Sequence, residues 1–306
     1  MKLVLLFAAL AAAVPAATHY VTIAGIGGEA EFDQRFSGIA GEIDKLLKDN
    51  KESQVVTLRG NDASKAKIQS VLADISKRAT ASDSLVVMLI GHGGFDGVNY
   101  KFAIPGPDLT ASELAEMLDR IPASRQLVVN MTSASGASMT ALSKQNRVVI
   151  TATRTGTEKN AVVFSRYWAE ALRDGAADTD KNGAISALEA YRYADQKTVR
   201  FYESQKRLAT EHALLDDTGK GEGVRAPGPE NGQGLLAAQM AVMRVGQTQI
   251  AAQSGEKQQL FAKKEKIEQE IERLKYQKAA MPVNEYRKKL SALLLDLART
   301  QEELEK

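Results

Sequence analysis

The sequence predicts an α/β fold: a mainly parallel sheet with helices on both faces, followed by an α-helical hairpin. Three observations lead there. Strand-length apolar runs alternate with amphipathic helical segments from His19 to Leu172, the pattern of strand–helix–strand crossovers. One run, Leu85 to Ile90, is apolar at every position, as in a strand covered on both faces. From Leu235 onward, apolar residues recur at three- and four-residue steps, interrupted at Pro282.

Composition sets the limits. The chain has 306 residues, 44% hydrophobic and 25% charged, enough for one large or two ordinary folded domains. A net charge of +2 supplies no strong pull toward nucleic acid or an anionic membrane, so no nucleic-acid partner is expected. The sequence contains no cysteine, which excludes disulfides, thiolate metal sites and thiol-based catalysis.

Residues 1–17 combine Lys2, a short apolar core and small residues at Val14 and Ala16, the pattern of an export signal. The apolar run is too short to span a bilayer, and no later run is longer, so no transmembrane segment is expected. The mature chain is expected to start near Ala17 or Thr18 and to work in the periplasm or outside the cell.

His19 to Ala24 reads as the first strand, running into the glycine-rich turn Gly25–Gly28. These glycines lack dinucleotide-binding spacing and no acidic residue follows at the required distance, which argues against a nucleotide site. Ile39, Ile43, Leu46 and Leu47 mark a helix, Gln54 to Leu58 a strand, and Ile68, Val71, Leu72 and Ile75 a second helix. The central strand then delivers His92 between Gly91, Gly93 and Gly94, at the edge where open sheets place ligands. Thr110 and Glu113 form a capping box that opens a helix through Leu118. Gln126 to Asn130 is the next strand and ends in small residues, Thr132 to Ser138; Arg147 to Thr151 is another, and Phe164 to Leu172 a helix.

Residues 178–189 follow the twelve-position EF-hand loop. Asp178, Asp180 and Asn182 are the first oxygen ligands, Gly183 makes the sharp turn, and Ala184 offers its carbonyl. Ser186 completes the shell through a hydroxyl or water, and Glu189 closes it with both oxygens, so Ca2+ is the expected cofactor. The alternative is a polar turn capping the helix that starts near Ser186. That helix runs from Leu188 to Tyr202, and glycine, proline and acidic residues from Asp216 to Gly234 read as a surface loop. The α/β domain is therefore placed at 18–234 and the helical hairpin, or short coiled coil, at 235–306.

Two strand ends matter together: Gly91-His92-Gly93 and, after the next strand, Ser133-Ala134-Ser135-Gly136. The pairing resembles the legumain-type and caspase-like cysteine peptidases, in which a His-Gly follows one central strand and the catalytic cysteine follows the next. The resemblance extends over roughly residues 19 to 220, including the Leu109-Thr110 helix start, Thr151 to Thr155, and Glu211 to Asp217. It implies a caspase-like sheet, with His92 as general base, Gly93 as an oxyanion N–H donor and Ser133 at the nucleophile position. The sequence departs from the family at that last position. A serine hydroxyl needs a closely bonded histidine, usually held by a carboxylate, whereas a thiol does not. Arg35 lies near the place of the family's specificity arginine, but the spacing requires an insertion and Arg35 is not assigned.

The expected protein is thus an exported, calcium-stabilised pseudo-peptidase that binds a peptide or protein in a cleft lined by Gly25 to Gly28, His92 and Ser133. Two alternatives stay open: an active serine-type hydrolase using Ser133 and His92, and a structural protein acting through the C-terminal hairpin.

Overall fold

The structure, a computed structural model, describes residues 16–50, 54–245 and 257–305. Most of the expected export signal lies outside the described residues.

The chain runs β1 (Thr18–Ala24), α1 (Ala30–Asp49), β2 (Gln54–Leu58), α2 (Lys65–Arg78) and β3 (Ser84–Gly91). A small antiparallel sheet follows, β4 (Gly93–Phe95), β5 (Tyr100–Phe102) and β6 (Leu109–Thr110), then α3 (Ala111–Asp119), β7 (Arg125–Thr132) and α4 (Met139–Leu142). Next come β8 (Arg147–Thr151), α5 (Phe164–Arg173), β9 (Ala184–Ser186), α6 (Ala187–Ser204), β10 (Leu214–Asp216), α7 (Leu235–Ala238) and β11 (Ala241–Arg244). Two long helices close the chain, α8 (Gln258–Gln277) and α9 (Val283–Glu305).

Six strands form the main sheet in the order β10-β8-β7-β3-β1-β2, parallel except for β10. Strand β3 sits inside it, and the alternation of its side chains divides the core. Val86, Met88 and Ile90 pack under α1, α5 and α6, while Leu85, Val87 and Leu89 pack under α2, α3 and α4. Both faces are covered, which is why the run carries no polar residue. The Thr110–Glu113 capping box starts α3 as the sequence predicts.

The α/β body does not end at 234. Residues after Leu235 read as wholly helical, yet Ala241–Arg244 form a strand paired antiparallel with β9. Met240, Val242 and Met243 are buried in the main core, and Tyr20 donates its hydroxyl to the Val242 carbonyl at 2.9 Å. Body packing sets the conformation of this short segment over its local spacing. Strand β10, which the sequence reading did not assign, ends at Asp216 where the expected loop begins, and it completes the sheet edge.

Helices α8 and α9 are antiparallel: Lys257 Nζ bonds the Leu304 carbonyl, Lys263 pairs with Asp296, and Lys278 lies over the Tyr286 ring. Phe261, Lys264, Ile267 and Leu274 of α8 are buried. Arg244 pairs with Glu265, and Tyr276 donates to the Gln233 carbonyl, so α8 lies against the body. On α9, Leu294 and Leu295 remain 48% and 55% exposed. Among the described residues no helix is long and apolar enough to cross a membrane.

Candidate functional site at the carboxyl ends of β3 and β7

Gly91 pairs with Thr132 across β3 and β7, so the next residues, His92 and Ser133, leave the sheet side by side. The five parallel strands run β2-β1-β3-β7-β8, and the order reverses between β1 and β3. Doubly wound sheets bind ligands beyond the strand ends at such a switch point. Gly25–Gly28 and His92 lie there.

The His92 imidazole turns toward α1. Its ring meets Phe32 and Phe36 edge-on, with centroids 4.8 and 5.0 Å away. The Arg35 guanidinium lies over the same two rings, and its Nη2 is buried without a hydrogen-bond partner. Burial, and after it the Arg35 charge, hold the imidazole below its usual value, against a backbone bond with Gly27 and the carboxylates of Asp33 and Glu29.

Ser133 is engaged elsewhere. Its Oγ accepts the Gly93 N–H at 3.1 Å and donates to the Gly93 carbonyl at 3.1 Å. Among the described residues no hydrogen bond joins Ser133 to the His92 ring. The structure therefore brings Ser133 to Gly93, and the Gly93 N–H assigned to an oxyanion is already donated. Glycine is required here by close approach: a Cβ on Gly93 would stand 2.3 Å from the Ser133 carbonyl and 2.6 Å from Thr132 Oγ1.

The neighbouring hydroxyls are also committed. Thr132 Oγ1 bonds Tyr100 at 2.6 Å, Ser135 Oγ accepts the Thr153 N–H at 3.0 Å, and Ser138 Oγ donates to the Ser135 carbonyl at 2.7 Å. The turn carrying them contains Ala134 at φ 53°, a left-handed conformation uncommon outside glycine.

Sequence reading missed two carboxylates that support this edge. Glu158 accepts the Ala134 N–H on its carbonyl at 2.7 Å and meets His212 Nδ1 with its side chain at 2.6 Å. Glu211 is buried and accepts the Val163 and Phe164 N–H groups at the start of α5. Burial pushes its carboxyl up to about 7. Neither pairing has a local sequence signature, since the partners are far apart in the chain.

A second cluster lies at 178–189. Asp178, Asp180 and Glu189 each place a carboxylate oxygen within 4.8 Å of the others, a group that could hold a metal ion. Asp178 accepts the Asn182 and Gly183 N–H groups, and Asn182 Oδ1 accepts the Ala184 N–H at 2.8 Å. Gly183 adopts φ 87°, the conformation expected of the loop's sharp turn. Glu189 serves two ends at once: one oxygen accepts from Thr179, the other from Ser186 in the capping box that starts α6. Burial and the carboxylates of Glu189, Asp178 and Glu272 push Asp180 up to about 6, although the Asn182 N–H opposes them. Lys264 of α8 donates to the Asn182 carbonyl at 2.8 Å, tying the hairpin to this loop.

No family model and no curated protein matches the chain. Among solved structures it is similar to caspase-1 from Spodoptera frugiperda, at 11% identity and a TM-score of 0.48, over 66% of this chain and 87% of that one.

Proposed function

We propose that this chain is an exported relative of the legumain/caspase-type peptidases in which serine stands at the cysteine position, and that it binds a peptide or protein segment without cleaving it. The observation that carries this reading is the pair of hydrogen bonds between Ser133 Oγ and the Gly93 backbone, one accepted and one donated. A serine nucleophile needs the imidazole on its hydroxyl, and a tetrahedral intermediate needs a free N–H donor. Here the hydroxyl and the donor satisfy each other, and the imidazole packs on Phe32 and Phe36. The region beyond the strand ends at the β1/β3 switch point, with Gly25–Gly28, His92 and Ser133, is the proposed binding surface.

The same reading includes calcium at 178–189, held by Asp178, Asp180, Asn182, Ala184, Ser186 and Glu189. It is supported by the convergence of three carboxylates, the oxygen-only donor set and the left-handed Gly183. Such an ion would fix the loop and the start of α6.

Fluorophosphonate labelling of the folded mature protein, with and without calcium and mapped by mass spectrometry, tests the catalytic half. No adduct on Ser133 is expected. An adduct on Ser133 that disappears in His92→Ala would establish an activated serine and replace this reading with that of a serine hydrolase.

A further inference from the structure

Ala17 is pinned on both sides. Its carbonyl accepts the Ser84 N–H at 2.9 Å, and its own N–H donates to Asp83 Oδ1 at 2.7 Å. Asp83 is 6% exposed, and its second oxygen accepts the Thr80 N–H at 2.7 Å and the Thr80 hydroxyl at 3.0 Å. No lysine or arginine pairs with it among the described residues. The nearest basic ring, His19, stands 3.9 Å away. Burial, then Arg78, hold that imidazole below its usual value against the pull of Asp83. The carboxylate thus sits in a buried turn surrounded by neutral donors, a setting in which a full countercharge forms the stronger class of hydrogen bond. One residue upstream, Ala16 is exposed, and Val14-Pro15-Ala16 has small residues at the first and third positions before the Ala16–Ala17 bond.

We propose that maturation cuts the Ala16–Ala17 bond and that the α-ammonium so created on Ala17 becomes the counter-ion of Asp83, fastening the start of β1 to the turn before β3. An exported endopeptidase selective for small residues adds water across the bond. The carboxylate leaves with Ala16, and the amine stays on Ala17, protonated near neutrality. The backbone amide donor already directed at Asp83 would thereby become a charged one without moving. A cut one residue later would delete both bonds of Ala17. The inference rests on the export reading.

The chain should be produced with its whole leader in an exporting host and its N-terminal peptide identified by mass. A mature N-terminus at Ala17 is expected. A chain still starting at Met1 would sink the export reading itself, whereas a chain starting at Thr18 would overturn this inference and leave export standing. The purified Ala17 protein should then be melted beside the same protein acetylated on its α-amine, which keeps an N–H and loses the charge. The free amine is expected to raise the melting temperature by roughly 2–4 °C, the scale for a domain of this size. The difference should vanish in Asp83→Asn. Should that variant not fold, a chain beginning at Ala16, whose amine lies one residue away, should melt with the acetylated form. Equal melting of the free and acetylated Ala17 proteins would overturn the ion pair.

Discussion

Ser133 Oγ bridges the N–H and the carbonyl of Gly93, each at 3.1 Å, so the end of β7 is bonded to the backbone leaving β3. Because the chain has no other cysteine, Ser133→Cys yields a protein whose only thiol is at this position. Its alkylation by iodoacetamide near neutral pH is expected to be no faster than that of an unperturbed thiol of pKa about 8.5. Rapid alkylation abolished by His92→Ala would show that the imidazole reaches the site.

Gly93→Ala places a methyl group against the Ser133 carbonyl and the Tyr100 ring, at 2.3 and 2.7 Å. The two strand ends must then separate. A loss of about 1–3 kcal/mol in urea unfolding is expected, the range of core overpacking.

Calcium should raise thermal stability through the 178–189 loop. At a concentration near 100 times the dissociation constant the gain is about 2.7 kcal/mol, read as a chelator-reversible rise in melting temperature. Asp178→Asn with Asp180→Asn keeps one acceptor oxygen at each position, gives up the second, and removes two charges. The double variant should fold and lose the calcium response at the same concentration.

Asp216, fully buried in β10, should make the fold acid-sensitive. Burial pushes its carboxyl up, but donors from Ser143, Thr218 and Gly221 hold it below its ordinary 3.8. A carboxyl lower in the folded than in the unfolded chain stabilises the fold above the unfolded value, and that contribution is lost as pH falls through the folded one. The urea midpoint should therefore drop as pH falls below about 4, and drop less in Asp216→Asn.

Chain length offers a further check. A protein ending at Val245 retains Met240, Val242 and Met243 in the core and should melt cooperatively. One ending at Gly234 lacks them and should not. If the Val245 protein keeps its partner, the cleft is the binding element; if it loses the partner while folded, the hairpin is.

The strands of the main sheet were legible because burial on both faces leaves a continuous apolar run, as in Leu85 to Ile90. The Thr110–Glu113 cap was legible because both partners lie within one turn. Strands β5, β10 and β11 were not: each is three or four residues long, and Ala241–Arg244 has a composition equally at home in a helix. At the site, the strand-end positions of His92 and Ser133 followed from strand spacing. The directions of their side chains did not, because Phe32 and Phe36 on α1 set one and the approach of Gly93 sets the other.

The pairing of Ile185 with Met243 also has a consequence for the order of events during synthesis. A nascent chain exposes all the carboxylates of the 178–189 loop well before the strand that braces it has been made. That contact closes a loop of 58 residues, shorter than the 66 between the paired Ile23 and Leu89, so the order of synthesis and not loop length sets the delay. The loop is therefore expected among the last parts of the body to become rigid, after the central parallel strands have already associated.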